Sequence, residues 1–227
     1  MKVCVLFSGG KDSCLALQKA MEKEEVACLV TLVSDNPESF MFHTVNINLT
    51  RLQARAIGLP LVSFKTKGGK ESELEDLKRA LEKAKEFDTE GVVTGAIKSE
   101  YQKSRVEKIC KELGLECLNP LWHQDEIEIL KDVINRGYEI LITGVFAEPF
   151  GKEWLGRRID SQTVKELEKL GKEYQINPSG EGGEIETTVL DAPFFRKRIE
   201  IEKSSVSFHR DSGKMEIKKA KLMEKNL

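Results

Sequence analysis

The sequence lacks several features that would define a function class directly. No apolar run in its 227 residues approaches the roughly 20 that span a bilayer, and the start, Met1–Phe7, is too short for a signal peptide and has no cleavage site. The five cysteines form no Cys-x-x-Cys pair, and the three histidines are too scattered for a metal trio. These absences argue against a membrane protein, a disulfide-bonded secreted domain and a zinc site, so we expect a cytoplasmic protein.

An excess of one charge is also missing. Lys and Arg number 36 and Asp and Glu number 38, which gives a formal net charge of −2. Such a chain has no global field that would attract nucleic acid or an anionic membrane, and we expect neither as a partner. With 40% hydrophobic and 33% charged residues, the composition is typical of a globular protein with a sizeable core and a heavily charged surface.

Short apolar runs alternate with helical periods through the first two thirds of the chain. Strands are predicted at residues 2–7, 26–34, 61–65, 91–94, 115–118 and 139–146. Helices are predicted at residues 12–23, 50–57, 99–113 and 125–136, and another begins near Ser72, which forms a capping-box pattern with Glu75. This alternation predicts an α/β fold: a doubly wound, mainly parallel, Rossmann-like sheet with helices on both faces.

The pattern changes after Phe146. One more helix is predicted at residues 160–175, followed by a Gly/Glu-rich stretch at 177–188. The tail then alternates in period two, with Asp211-Ser-Gly213 as a turn. We therefore predict a main domain at residues 1–146 and a smaller C-terminal α+β domain at residues 147–227.

The segment Ser8-Gly-Gly-Lys-Asp-Ser13 joins the first predicted strand to the first predicted helix. Gly9 and Gly10 allow several backbone N–H groups to converge on an anion, and the helix adds its unpaired amides and positive dipole end. Ser8 and Ser13 can donate hydroxyl hydrogen bonds, Lys11 supplies a cation, and Asp12 can bind Mg²⁺ or cap the helix. The alternative is an ordinary strand-to-helix turn, in which Ser, Gly and Asp are common. Neither the kinase-type P-loop nor the dinucleotide fingerprint is present.

Two further clusters carry polar side chains. Gly95, Lys98 and Arg105 follow the fourth strand, and carboxyl ends of parallel strands are where a doubly wound sheet binds ligands. They can bind phosphate or a substrate carboxylate; the alternative is that Lys98 and Arg105 are only solvent-exposed charges at the start of a helix. The third cluster, Gly180-Glu-Gly-Gly-Glu-Ile-Glu-Thr187, can bind a cation or form an acidic surface turn.

Four segments identify a family: Ser8–Ser13, Gly95–Arg105, Asn119–Trp122 and Gly180–Thr187. In this order they resemble the diphthine–ammonia ligase (diphthamide synthetase) family of the PP-loop ATP pyrophosphatase superfamily. The first segment matches the superfamily loop, whereas Tyr-Gln-x-x-Arg and Gly-Glu-x-Gly-Glu-x-Glu-Thr are the specific patterns. The resemblance covers nearly the whole chain and implies an adenine nucleotide alpha hydrolase-like fold.

The resemblance implies the last step of diphthamide formation. ATP and ammonium convert the diphthine carboxylate on a histidine of translation elongation factor two into an amide. The carboxylate attacks the α-phosphorus of Mg-ATP to give an acyl-adenylate and pyrophosphate, and ammonia then displaces AMP. The expected partners are therefore ATP, Mg²⁺, ammonium and the diphthine-bearing factor; the sequence leaves the oligomeric state open, a homo-oligomer included.

The same resemblance sorts the candidate residues by role. Lys11, Asp12 and Arg105 are the expected catalytic residues, and Asp12 is also the expected Mg²⁺ ligand. The ATP site is expected at Ser8, Gly9, Gly10, Lys11, Asp12, Ser13, Val33, Ser34, His43 and Gly95. Because diphthine carries a quaternary ammonium, its pocket is expected to use carboxylates and an aromatic face. The expected substrate residues are Lys98, Tyr101, Glu184, Glu186 and Thr187.

Two other functions remain compatible with the phosphate loop. One is a PP-loop enzyme that modifies tRNA, against which stand the near-neutral charge and the lack of paired cysteines. The other is a module that senses ATP or AMP without turning it over.

Overall fold

The structure is a computed structural model that describes residues 1–34, 45–67 and 70–225. The chain divides into two compact units, Met1–Trp122 and His123–Leu227. Among the described residues, no helix combines the length and apolar character needed to cross a membrane.

The first unit contains a parallel sheet in which the strand order reverses beside β1. Its strands are β1 (Lys2–Leu6), β2 (Glu25–Ser34), β3 (Leu61–Thr66), β4 (Gly91–Val93) and β5 (Glu116–Leu118). The spatial order is β3-β2-β1-β4-β5, and every neighbouring pair is parallel. The α/β fold class is confirmed. Because β1 and β4 flank the reversal, the loops that follow them lie at the edge where such sheets bind ligands.

Helices connect these strands and bury their apolar stripes on the sheet. They are α1 (Lys11–Met21), α2 (Thr50–Ile57), α3 (Lys70–Ala84) and α4 (Glu100–Leu113). Leu77, Leu81 and Ile109 of α3 and α4 pack in one cluster with Cys4 of β1. Val3 and Val5 are equally buried but alternate to the opposite face of β1, so the strand is covered on both sides. Ser72 lies inside α3 rather than before it, so the predicted capping position is wrong.

The second unit is built on an antiparallel sheet. Its strands are β6 (Glu139–Val145), β7 (Ile185–Asp191), β8 (Lys197–His209) and β9 (Ser212–Glu224), in the order β7-β6-β9-β8. Its helices are α5 (Glu126–Asn135) and α6 (Ser161–Tyr174). The predicted α+β character of the C-terminal region is confirmed. The tail forms one long hairpin, and its turn is Arg210-Asp211 rather than the predicted residues 211–213.

The sixth strand was expected in the parallel sheet, and that prediction is wrong. β6 pairs antiparallel with β7 and with β9. Six of its seven residues are buried, and residues 140–142 form an apolar run of the kind that also occurs in buried parallel strands. The structure consequently divides the chain between Trp122 and His123, well before the boundary predicted at 146/147.

Candidate active site

The loop between β1 and α1 is wrapped around the hydroxyl group of Ser13. Ser13 Oγ accepts hydrogen bonds from the backbone N–H groups of Ser8 (3.3 Å) and Gly9 (3.2 Å) and donates to the carbonyl oxygen of Gly10 (3.0 Å). The Ser13 side chain is buried. The predicted contact of Ser13 with pyrophosphate stays a prediction, and in the structure this side chain shapes the loop.

The helix that follows begins without a side-chain cap. Gly10 occupies the N-cap of α1, and in the described part of the chain no side chain accepts a hydrogen bond there in the usual capping geometry. The first-turn N–H groups of an α-helix have no partner within the helix, and the helix dipole adds positive charge at this end. This geometry fits an anion such as the pyrophosphate portion of ATP.

Gly9 is held by a glutamine from a different helix. Its φ angle is +78°, in the left-handed region that favours glycine, and a Cβ at this position would overlap the side-chain oxygen of Gln53. Gln53 lies on α2, is 1% exposed, and donates from Nε2 to the carbonyl oxygen of Gly9 at 2.9 Å. Gln53 was not predicted from the sequence, where its signal is a polar residue on the apolar side of a short helix.

Lys11 and Asp12 form a charged pair at the start of α1. Lys11 Nζ lies 2.8 Å from Asp12 Oδ2, and the Lys11 side chain is 2% exposed. The other carboxylate oxygen, Asp12 Oδ1, is buried and has no hydrogen-bond partner among the described residues. A buried carboxylate oxygen of this kind beside a phosphate loop fits a Mg²⁺ ligand.

The cation would have to complete its coordination from elsewhere. Within residues 1–34, 45–67 and 70–225, no group of three or more His, Cys, Asp or Glu side chains is arranged to hold a metal ion. Mg²⁺ is commonly bound by one or two carboxylates together with substrate phosphates and water. Asp12 alone therefore suits a metal that arrives with ATP.

The loop after β4 packs directly on the phosphate loop. A Cβ on Gly95 would lie 3.0 Å from the carbonyl carbon of Asp12 and 3.0 Å from the backbone nitrogen of Ser13. The neighbouring Thr94 donates from Oγ1 to Asn119 Oδ1 (2.6 Å) and accepts from the N–H of Ala96 (3.2 Å). The loops that follow β1, β4 and β5 thus meet at one edge of the sheet.

Arg105 and Tyr101 form a stacked pair on the first turns of α4. The guanidinium carbon lies 3.4 Å from the centroid of the Tyr101 ring, and Arg105 Nη1 donates to the carbonyl oxygen of Tyr101 at 3.2 Å. One face of the ring that was predicted to meet the substrate ammonium is therefore already covered by a cation. Lys98 is exposed, and Ser99 caps the helix by accepting from the N–H of Gln102.

The Gly/Glu-rich loop of the second unit is folded around Glu184. Glu184 Oε1 accepts hydrogen bonds from the backbone N–H (3.1 Å) and the side-chain amide (3.2 Å) of Asn177. Its other oxygen, Oε2, is buried and has no hydrogen-bond partner in the parts of the chain that are described. Gly180 and Gly183 have φ angles of +79° and +86°, which allow this tight course.

Glu186 and Thr187 lie on β7, directly after this loop. Glu186 is half-buried and pairs in register with Gly144 of β6, whereas Thr187 is buried opposite Ile142. The acidic surface turn that composition alone suggested is thus a structured loop that leads into β7, an edge strand of the sheet.

A second buried carboxylate, from α5, anchors the same loop. Glu126 Oε2 accepts from the hydroxyl group (3.1 Å) and the backbone N–H (3.4 Å) of Ser179. Both residues are buried, at 6% and 1% exposure. Glu126 was not predicted as a site residue, because acidic residues in the first turn of a helix are common and usually exposed.

Two of the remaining predicted ATP residues lie at the end of β2. Val33 and Ser34 are half-buried at the carboxyl end of that strand. His43 lies outside the described residues, so its predicted place in the adenine site stays a prediction.

The sequence was compared with known protein families. The family model for the diphthamide synthase N-terminal domain matches residues 1–117, and that for the diphthamide synthase C-terminal domain matches residues 125–223. The chain belongs to the diphthamide synthase family. The two matched regions follow the division of the structure into two units.

Curated relatives of this diphthamide synthase family member carry the name diphthine–ammonia ligase. The protein from Homo sapiens is 34% identical over 92% of this chain and 86% of its own length. The protein from Schizosaccharomyces pombe is 37% identical over 92% of this chain, which spans only 37% of that longer relative.

Two solved structures share part of the architecture at low identity. A 4-thiouridine synthetase in complex with RNA and ATP gives a TM-score of 0.44 at 16% identity, covering 84% of this chain and 55% of that one. A predicted subunit of a tRNA methyltransferase from Methanocaldococcus jannaschii gives a TM-score of 0.43 at 14% identity, covering 85% and 98%.

Proposed function

We propose that this chain is an ATP-dependent diphthine–ammonia ligase of the cytoplasm. It converts diphthine on translation elongation factor two to diphthamide with ammonium, and it releases AMP and pyrophosphate. The observation that carries the proposal is the 34% identity to the human ligase over 86% of that protein, together with family-model matches whose ranges contain the phosphate loop and the Gly/Glu-rich loop.

In the first unit, the loop after β1 would bind the leaving pyrophosphate. The uncapped amides of α1 and the buried ammonium of Lys11 neutralise its charge, which grows as the bond to the α-phosphorus breaks. Asp12 would hold Mg²⁺ through its buried Oδ1, and the metal would supply further neutralisation of the phosphates. Arg105, half-buried on α4, is assigned to the charge that develops near the α-phosphate.

Adenylation makes the diphthine carboxylate reactive. A free carboxylate is a poor acyl donor at neutral pH, so the carboxylate attacks the α-phosphorus and the resulting mixed anhydride is opened by ammonia. The task of the chain is to position the reactants and to stabilise charge, since binding energy realised in the transition state accelerates the reaction.

Candidates for substrate recognition are present in both units. In the first unit, Lys98 can bind a carboxylate, and the ring of Tyr101 has one face that Arg105 does not cover. In the second unit, Glu184 has a buried oxygen without a hydrogen-bond partner within the described residues, and Glu186 and Thr187 follow it on β7. A carboxylate in such surroundings attracts a quaternary ammonium more strongly than one in bulk water does.

The proposal is tested by following α-labelled ATP with diphthine-bearing elongation factor and ammonium. The wild-type protein is expected to release AMP and to amidate the factor, whereas Lys11→Ala and Asp12→Ala lower the rate by about 100-fold or more. Lys11→Ala removes positive charge at the phosphates, and Asp12→Ala removes the proposed Mg²⁺ ligand.

The matched control is Lys19→Ala, a change of the same kind in the last turn of the same helix, and it should keep the wild-type rate. Binding of ATP without any AMP release by the wild-type protein would identify a nucleotide sensor instead. Turnover that requires tRNA would identify a tRNA-modifying enzyme.

A further inference from the structure

Gln53 reaches the phosphate loop from outside every sequence motif. Its Nε2 atom lies 2.9 Å from the carbonyl oxygen of Gly9, and the two residues are separated by 44 positions in the sequence. The side chain is 1% exposed, so water does not compete for this hydrogen bond. A buried glutamine that bonds to the second residue of the loop is in a position to fix the orientation of the loop backbone.

The orientation of the peptide bond between Gly9 and Gly10 depends on this contact. In a trans peptide the C=O and N–H groups point in opposite directions. Because Gln53 holds the Gly9 carbonyl on its own side, the N–H of Gly10 points away from α2. It donates a long hydrogen bond of 3.4 Å to Ser8 Oγ, which a bound phosphate would replace. If the peptide were reversed, a carbonyl oxygen would replace an N–H group and would repel a bound phosphate.

The preceding peptide bond is fixed by a different side chain. Ser13 Oγ accepts from the N–H of Gly9 at 3.2 Å, so both peptide groups that flank Gly9 are held from within the protein. Glycine has a wide choice of φ and ψ angles, and without such contacts this segment would sample several orientations. Preorganised amides bind a charged group better than amides that must first be ordered.

We infer that Gln53 is a positioning residue of the phosphate loop, which holds the Gly9–Gly10 peptide with its N–H directed towards the β- and γ-phosphates of ATP. The inference rests on the proposed function, in which the loop binds those phosphates. Gln53 could instead only pack α2 against the loop. In that case its loss would change the affinity for ATP and for AMP equally, so comparing the two nucleotides distinguishes the roles.

The test compares the binding of ATP and AMP by titration calorimetry in the full chain. Gln53→Met retains the length of the side chain and loses the donor, while Gln53→Glu retains the shape and replaces the donor with an acceptor. Both variants are expected to bind ATP about tenfold or more weakly, since a buried carbonyl loses its partner and the loop is no longer held. AMP lacks the phosphates that the loop contacts, and its affinity is expected to stay within about twofold.

The matched control is Gln162→Met, the same change at an exposed glutamine on α6, and it should leave both affinities unchanged. Thermal unfolding shows which variants are folded, and Gln53→Glu serves where Gln53→Met does not fold. Equal losses for ATP and AMP, or no loss for either, would overturn the inference. A wild-type protein that binds ATP no better than AMP would overturn the proposed function itself, a result that differs from any defect confined to the variants.

Discussion

At position 9, two independent constraints select glycine. The φ angle of +78° strains any residue with a Cβ, and the Gln53 side-chain oxygen occupies the space that a Cβ would need. The motif around Gly9 predicts the first constraint, because glycine in a phosphate loop implies unusual backbone angles. The second was not predictable, because Gln53 comes from a helix 44 residues away and no local pattern links the two.

Gly9→Ala and Gly114→Ala separate these two constraints. Gly114 caps the end of α4 with a φ of +68°, and in the described part of the chain a Cβ there would meet no heavy atom within 4 Å. We expect Gly114→Ala to lower the free energy of unfolding by about 1–2 kcal/mol, the cost of the left-handed conformation, with unchanged ATP affinity.

Gly9→Ala should cost more than this, since Gln53 must also move, and it should weaken ATP binding. Urea unfolding and ATP titration measure the two effects. Equal costs at the two positions, with ATP affinity intact in both, would show that Gln53 places no demand on Gly9.

At the scale of elements, the sequence predicted the strands, loops and helices whose signals lie within one short segment of the chain. The strand-loop-helix unit formed by β1, residues 8–10 and α1 was confirmed, because its apolar run, glycines and helical period are adjacent in the chain. The pairing of β6 was predicted wrongly, because a buried antiparallel strand and a buried parallel strand can have the same composition. What distinguishes them is the partner strand, and β7 comes some 40 residues later in the chain.

The Gly/Glu-rich loop depends on α5 for its fixed course. Glu126 lies in the first turn of that helix and accepts both hydrogen bonds from Ser179. We expect Glu126→Leu to lower the free energy of unfolding by about 1–3 kcal/mol, because it removes the carboxylate that accepts hydrogen bonds from two buried donors of Ser179. Glu126→Gln retains an acceptor oxygen and should retain most of the stability.

Urea unfolding measures this difference, and amide hydrogen exchange at Ser179 reports on the loop itself. Glu128→Gln is the control, since Glu128 is exposed and forms a surface salt bridge with Lys131. If Glu126→Gln is as destabilising as Glu126→Leu, the negative charge of Glu126 and not its acceptor oxygen is what the loop requires.

At the scale of the whole molecule, the state of the cysteines bears on the source of nitrogen. Cys4, Cys14, Cys28 and Cys110 are buried. Burial raises the pKa of the Cys14 thiol well above its ordinary value and that of Cys28 to about 11, so these thiols stay protonated at neutral pH. Cys117 is half-buried, and a hydrogen bond from the Cys110 thiol lowers its pKa.

A glutamine-hydrolysing enzyme of the thiol type needs an accessible thiolate with a general base beside it, and four of the five cysteines are buried. The fifth, Cys117, receives hydrogen bonds from the Cys110 thiol and the Asn119 amide, and neither group is a general base. We therefore expect free ammonium, and not glutamine, to support amidation, with Cys117→Ser retaining the wild-type rate. Mass spectrometry of the elongation factor with ¹⁵N-ammonium or with amide-labelled glutamine distinguishes the donors. Transfer of label from glutamine that is lost in Cys117→Ser would contradict the prediction.

The sequence could name those residues of the candidate site that lie within a recognisable local motif. The sequence predicted that Ser8–Ser13 and Gly95 belong to one site. In the structure these loops are close together because β1 and β4 are neighbours in the sheet. Gln53 and Glu126 were not found, since each is a lone polar residue that becomes informative only when its hydrogen-bond partner is known. The stacking of Arg105 on Tyr101 was likewise not foreseen, although the i, i+4 spacing permits it.

The close approach of Gly95 to the start of α1 makes two distant segments of the sequence interdependent. Any side chain at position 95 would press on the backbone between Asp12 and Ser13, where spacing is already tight. Residues 8–13 and 94–96 therefore form a single fitted surface, and a change in the width of one loop would require a compensating change in the other. An attempt to transplant the phosphate loop into another scaffold would have to carry its neighbour along with it.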